Sequence, residues 1–160
     1  MTPIQPAVVF DIDGVLADVG HRLHHLARRP KDWDAFFAAA TADPVLEAGA
    51  QFARQAAQTH RIVYLTGRPE HCRAATQAWL DRNALPPGEL LMRAADDRRP
   101  GSVVKVRELR RLSRQSPIDL FVDDDQAVID AAAAAGFAVQ HANWMPAVAL
   151  HDAQQRDGRT

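Results

Sequence analysis

The sequence predicts an α/β protein: a parallel sheet of about five strands, helices on both faces of that sheet, and a small helical insert. Three observations carry the prediction. Five short apolar runs recur along the 160 residues, each four or five residues long and rich in Val, Ile, Leu or Phe, as strands buried on both faces are. A proline, a glycine or a polar helix end stands before each run. Helical patterns separate the runs, and strand–helix alternation folds into a parallel sheet through right-handed crossovers. The length suits one domain, residues 1–160.

Taken in order, the first strand is Ala7–Asp11, after Pro6. The insert follows, over residues 18–43, where a direct crossover would go straight to a helix. It reads as two helical pieces, Gly20–Arg29 and Lys31–Thr41, divided by Pro30. Pro44 opens the first crossover helix, through Leu46, Phe52 and Ala56. Arg61–Leu65 is the second strand. Pro69 suits the first turn of the next helix, which carries Cys72, Ala75 and Trp79 at i, i+3 and i+7. Pro86-Pro87-Gly88 turns into the third strand, Glu89–Met92. Ser102 reads as the N-cap of a helix with Val103, Val106, Leu109 and Leu112 on one stripe. Ile118–Val122 is the fourth strand. A helix through Val128, Ala131, Ala132 and Ala135 stops at Gly136, a C′ glycine, before the fifth strand, Phe137–Gln140. Residues 146–160 read as a polar, loosely held tail.

Composition excludes several classes. Hydrophobic residues are 47% and charged residues 24% of the chain, which suits a globular protein rather than a disordered one. The formal net charge of −1 excludes a globally basic nucleic-acid coat while leaving room for a local patch. The single cysteine, Cys72, cannot close an internal disulfide. No apolar run approaches the roughly 20 residues of a membrane span, and the first residues lack the basic-then-apolar pattern of a secretory leader. The expectation is a cytoplasmic protein with no membrane partner.

The acidic residues at strand ends are the chemical signal. Asp11 and Asp13 flank Ile12 where the first strand runs out, and Gly14 allows a tight turn. Asp123, Asp124 and Asp125 stand where the fourth strand runs out. Open parallel sheets bind ligands beyond the carboxyl ends of their strands, near the point where strand order reverses, so both clusters should meet in one crevice. Crowded carboxylates repel unless a cation or proton offsets them, and their hard oxygens suit Mg²⁺. Thr66-Gly67-Arg68 closes the second strand with hydroxyl and backbone N–H groups that can hold an anion. Lys105, one of only two lysines, begins the helix after the third strand. Singly, an Asp-x-Asp or an Asp triplet reads as a helix cap. Together, one cation site, one carboxylate nucleophile and several anion-holding groups describe phosphoryl transfer through an aspartyl-phosphate.

FDIDGVLAD, LTGR, Lys105 and FVDDD, in that order, resemble the four motifs of the haloacid dehalogenase superfamily of phosphotransferases. The resemblance implies a Rossmann-like three-layer sandwich with a small cap. It implies Asp11 as nucleophile, Asp13 as general acid and base, and Thr66 and Lys105 as holders of the phosphoryl group. Mg²⁺ would be held by Asp11, the backbone carbonyl of Asp13, and Asp123 or Asp124.

A closer resemblance concerns the substrate. GHRLHHL…KDWDAFF, TGR and VVK…FVDDDQAVID look like the 3′-phosphatase domain of phage-type polynucleotide kinase–phosphatases. It implies that Arg22, Gly67 and Arg68 meet the substrate, a 3′-phosphorylated polynucleotide end. Gly101 stands where that family has Asp, and Asp125 where it tends to have Arg. No phosphate-cradling kinase loop is present. The basic segment Arg93–Arg114 is a candidate nucleic-acid face. DIDGVLAD equally resembles the first motif of 5′(3′)-nucleotidases, which makes a nucleotide or other small phosphate the alternative substrate; those relatives carry larger caps. A catalytically silent phosphate-binding module is the non-enzyme alternative, disfavoured because every motif residue is present.

Other residues read as structural. His21, His24 and His25 have a spacing that two metal-ligating histidines could share, but face solvent or substrate in the plainer reading. Trp33, Phe36 and Phe37 read as the insert's own core before a base-stacking platform. Cys72 reads as packing, and Trp144 and Met145 have no partner evident from sequence.

Overall fold

The apolar runs form one five-stranded parallel sheet in the order β3-β2-β1-β4-β5. In the computed structural model, which describes residues 3–146 and Gln155, the strands are β1 (Ala7–Phe10), β2 (Arg61–Pro69), β3 (Gly88–Arg93), β4 (Ile118–Asp123) and β5 (Val139–His141). The connecting helices are α2 (Glu47–Ala56), α3 (Arg73–Arg82), α4 (Gly101–Ser113) and α5 (Gln126–Ala134). Most of the expected tail lies outside the described residues.

Alternation along each strand sorts the core into two layers. Val8, Phe10, Ile62, Tyr64, Leu90 and Val122 face α2 and α3, where they meet Ala50, Ala53, Trp79 and Leu80. Ala7, Val9, Val63, Leu65 and Phe121 face α4 and α5, where they meet Val106, Leu109, Leu112, Val128 and Ala132. The fold is therefore the expected three-layer α/β sandwich. Each large side chain so buried contributes about 1.5–3 kcal/mol from water exclusion alone.

Between β1 and α2 lie a 3₁₀ segment (Gly20–Leu26), the short helix α1 (Trp33–Ala38) and a second 3₁₀ segment (Ala39–Ala42). Asp32 caps α1 by accepting from the Ala35 N–H at 2.9 Å. Val19, Leu23, Leu26 and Phe36 form a separate small core, with Trp33, Phe37 and Met145 packed against it.

Four details correct the sequence reading. The stripe of α3 is Thr76, Trp79 and Leu80; Ala75 is exposed, and Cys72 is half-buried in a 3₁₀ turn before the helix. That extra turn shifts the helical phase. Helix α4 begins at Gly101 with Pro100 at its N-cap, so Ser102 is not the cap and Val103 is 49% exposed. Strand β2 runs on through Thr66, Gly67, Arg68 and Pro69. Strand β5 begins two residues later than the apolar run.

Candidate active site

The register of the sheet assembles the site. Phe10 lies opposite Val122 on one side and Tyr64 on the other, so Asp11, the next residue, emerges beside Asp123, and Thr66 projects from the adjoining strand. The Asp11 N–H donates to the Val122 carbonyl at 2.9 Å, which continues the ladder one step past the strand. The order reverses between β1 and β4, so both acidic clusters reach the crevice at the switch point.

After Asp11 the chain wraps tightly. Leu16 and Ala17 both donate to the Ile12 carbonyl, and Gly14 donates to Ala17 at 2.9 Å. Gly14 has φ +80°, and a Cβ there would sit 2.0 Å from an Asp124 carboxylate oxygen. Only glycine allows both the turn and the approach of Asp124. Helix α2 closes on the same loop, since a Cβ on Gly49 would lie 1.9 Å from the Val15 carbonyl. That carbonyl accepts from the Trp144 indole N–H at 2.8 Å.

Asp11, Asp123 and Asp124 each present an oxygen within 4.8 Å of the others. Asp11 and Asp123 are buried and Asp124 is half-buried. Lys105, carried in on the buried face of α4, places Nζ 2.6 Å from Asp123 Oδ2 and 3.1 Å from Asp11 Oδ2. One ammonium thus faces three carboxylates. Burial, only partly opposed by Lys105, raises the Asp11 carboxyl well above its ordinary value, and Asp123 and Asp124 add to the rise. Burial likewise pushes Asp123 up to about 6. For Lys105, burial is outweighed by Asp11 and Asp123, which hold the ammonium protonated above its ordinary value. This surplus of buried negative charge fits a hard divalent cation, the ligand that oxygen donors of this kind prefer. Asp125 takes a different part: it caps α5, accepting from the Ala127 N–H at 2.9 Å.

A second charged group sits beside the first. Arg68 donates to Asp13 Oδ1 through Nε at 2.9 Å and Nη2 at 2.7 Å. Arg22, from the 3₁₀ segment, donates to the same oxygen at 3.0 Å. Both arginines also reach Asp43, Arg22 at 2.8 Å through Nε and through Nη2, Arg68 at 3.1 Å. All four side chains are buried. Burial alone would raise the Asp13 carboxyl, but the two guanidiniums outweigh it and hold Asp13 well below the usual carboxylate range. Thr66 is buried too, its hydroxyl accepting from the Arg68 N–H at 3.1 Å and left able to donate toward an anion. Gly67 is half-buried on the wall of an adjoining cleft.

The structure thus brings Asp11, Asp13, Thr66, Lys105, Asp123 and Asp124 to one end of the sheet, with Arg22 and Arg68 bonded to Asp13 rather than open to solvent. Sequence reasoning missed Asp43, which it used only as a boundary, and Thr76, which accepts from Arg68 Nη1 at 3.3 Å. The basic segment Arg93–Arg114 does not form one face. Arg93 and Arg98 line the cleft beside Gly67, whereas Arg107 and Arg110 line a groove between α4 and α5. Of the histidines, His21 lies 2.7 Å from Asp43, and the His24 and His25 rings lie 4.0 Å apart, tilted at 39°. Among the described residues the candidate metal cluster is the aspartate one and contains no histidine.

The sequence profile of the family described as the phosphatase domain of polynucleotide kinase PNKP matches residues 5–143. No curated protein matches the chain. Among solved structures, the fold is similar to a chain in a Pnkp1/Rnl/Hen1 complex, with TM-score 0.74 and 22% identity over 92% of this chain and 49% of that one. A Pnkp1/Rnl/Hen1 RNA repair complex gives 0.71 and 23% over 92% and 45%. This chain therefore spans about half the length of those it matches. A haloacid dehalogenase-like hydrolase from Streptococcus pneumoniae is similar along nearly its whole length, with TM-score 0.62 and 11% identity over 98% of this chain and 92% of that one. A further relative in fold is a family enzyme from Bacteroides thetaiotaomicron in complex with magnesium and inorganic phosphate, at 0.53 and 10% over 90% and 97%. At such identities these likenesses show the fold.

Proposed function

The chain belongs to the polynucleotide kinase phosphatase-domain family of haloacid dehalogenase phosphatases, and from that premise we propose that it hydrolyses the phosphomonoester at a 3′-phosphorylated polynucleotide end through an aspartyl-phosphate on Asp11. The observation that carries the reading is the set of Asp11, Asp123, Asp124 and Lys105 at the switch point, with Asp13 beside it.

Asp11, the backbone carbonyl of Asp13, and Asp123 or Asp124 would hold Mg²⁺, which when bound supplies a Lewis acid to the phosphoryl oxygens and offsets the surplus negative charge. An Asp11 oxygen attacks phosphorus, the ester bond breaks, and the leaving alkoxide takes a proton from Asp13. Lys105 is bonded to both Asp11 and Asp123, so it fixes the nucleophile while contributing positive charge to the equatorial oxygens, together with the Thr66 hydroxyl. Water then attacks the aspartyl-phosphate, giving its proton to Asp13 and releasing phosphate.

Arg22 and Arg68 account for both roles of Asp13. Their bonds converge on one carboxylate oxygen and hold Asp13 as the base that the water step requires. An arriving phosphate anion draws on the same positive field and raises the proton affinity of Asp13, as the leaving-group step requires. Asp43 anchors both guanidiniums and is a positioning residue.

A phosphatase screen in Mg²⁺ tests the reading. It compares 3′-phosphorylated and 5′-phosphorylated oligonucleotides, mononucleotides and sugar phosphates at matched concentration. Preference for the 3′-phosphorylated end is expected, with loss of roughly 10³-fold or more in kcat for Asp11→Asn. Preference for mononucleotides would establish the nucleotidase alternative instead.

A further inference from the structure

The charged group around Asp13 has a further member that the chemistry above does not use. His21, from the same 3₁₀ segment as Arg22, sets its Nε2 2.7 Å from Asp43 Oδ1. Its side chain is 37% exposed, whereas those of Arg22, Arg68, Asp13 and Asp43 are 10% exposed or less. His21 is therefore the member that meets solvent. A carboxylate oxygen only accepts, so Nε2 carries a hydrogen and donates, in the neutral Nε2–H tautomer and in the imidazolium alike.

The backbone of Asp43 is fixed from two sides. Its N–H donates to the Ala40 carbonyl at 3.2 Å, and its own carbonyl accepts from the Trp79 indole N–H at 2.9 Å. The freedom left is rotation of the carboxylate. Oδ2 accepts from Arg22 Nη2 at 2.8 Å and from Arg68 Nη2 at 3.1 Å, and Oδ1 from Arg22 Nε at 2.8 Å. His21 adds the fourth donor, which fills the two lone pairs of each oxygen. Burial raises the Asp43 carboxyl above its ordinary value against the pull of Arg22 and Arg68, and a buried acceptor that loses a donor carries the cost of its desolvation. The orientation matters because of what the guanidiniums do next. Arg22 Nη2 and Arg68 Nη2 each divide between Asp43 Oδ2 and Asp13 Oδ1. A turn of the Asp43 carboxylate draws both arginines off Asp13.

We propose that His21 is a positioning residue for the acid–base step: its Nε2–H fixes the Asp43 carboxylate, which in turn aims Arg22 and Arg68 at Asp13. The role rests on the reading of Asp13 as general acid and base, and not on which alcohol leaves. His21 acts through Asp43 and the arginines, two steps from the reacting atoms. Its effect is felt where Asp13 must give a proton, and not where the leaving group needs none.

The test compares two leaving groups in Mg²⁺: the best alkyl phosphomonoester from the phosphatase screen, whose alkoxide needs a proton, and p-nitrophenyl phosphate, whose phenolate departs without one. The quantity read is kcat/KM, which covers the steps up to the aspartyl-phosphate and leaves the water step out. His21→Ala is expected to lower it roughly tenfold on the alkyl ester, a part of the 10²–10⁴-fold that a placed proton donor contributes, and less than about twofold on the aryl ester. His21→Gln, whose amide nitrogen reaches the place of Nε2, should restore most of the loss; His21→Asn, one methylene shorter, should not. Equal losses on both esters, no loss on the alkyl ester, or a glutamine no better than alanine would overturn the role of His21 while the phosphatase reading stands. Failure of the wild-type protein to turn over either ester would overturn the phosphatase reading and the role of His21 with it. If His21→Ala does not fold, the glutamine and asparagine variants decide by the same comparison of the two esters.

Discussion

Asp123 stands in a crowd of buried charge. It is fully buried, shares one ammonium with Asp11, and has Asp124 beside it. Its folded proton affinity, about 6, lies above the ordinary carboxylate value of 3.8. A carboxyl whose affinity is raised on folding binds more protons folded than unfolded, so stability is retained below about pH 4 and lost as pH rises through 6. A divalent cation replaces the proton and restores it. We therefore expect the stabilisation by saturating Mg²⁺, read as the shift in urea midpoint against a chelator-treated sample, to be small at pH 5 and large at pH 7.5. A shift independent of pH would contradict this account of the cluster. Gly14 shows the same economy of space, since any side chain there collides with Asp124.

At the scale of elements, the contact that matters is between the insert and the sheet. Arg22 of the first 3₁₀ segment, Asp43 at the end of the second, Asp13 of the loop after β1 and Arg68 of β2 form one buried group of two positive and two negative charges. Balanced, it holds the insert over the site; unbalanced, it leaves charge buried without compensation. Asp43→Asn is expected to lower stability by about 3 kcal/mol in urea unfolding and to hasten proteolysis between Gly20 and Asp43. A loss under about 1 kcal/mol would mean that the insert is held by packing instead. Here the sequence was only half legible. Pro30 divides the insert as read, but Asp43 before Pro44 looks like an ordinary turn residue, and its partners stand 21 and 25 positions away. Helix phase failed where composition blurs it: alanines give α3 little contrast, and a 3₁₀ turn absorbs the positions before Arg73. In α4, by contrast, Val106, Leu109 and Leu112 kept their stripe because leucine and valine stand out among arginines.

Over the whole molecule, the architecture was the most legible feature. Each apolar run became a strand of one parallel sheet, and that sheet brings motifs from four stretches of chain together at the β1/β4 reversal. Strand ends were the readable signal, because aspartates cannot continue an apolar run and so mark where it stops. Longer-range ties were not readable, such as Trp144 on the Val15 carbonyl or Met145 on the core of the insert. Net charge misled in a mild way: the total of −1 conceals an acidic crevice and a cleft edged by arginines. Among the described residues no helix is long and apolar enough to cross a membrane.

Transfer of phosphorus to Asp11 is the step on which the proposed chemistry turns. Wild-type protein mixed with a 3′-phosphorylated oligonucleotide in Mg²⁺, quenched during turnover and reduced with borohydride, reports this directly by peptide mass, because an acyl phosphate is reduced to the alcohol. The account predicts homoserine at position 11, absent when the metal is chelated, and no turnover by Asp11→Asn. Turnover that continues while residue 11 remains unmodified aspartate would contradict it.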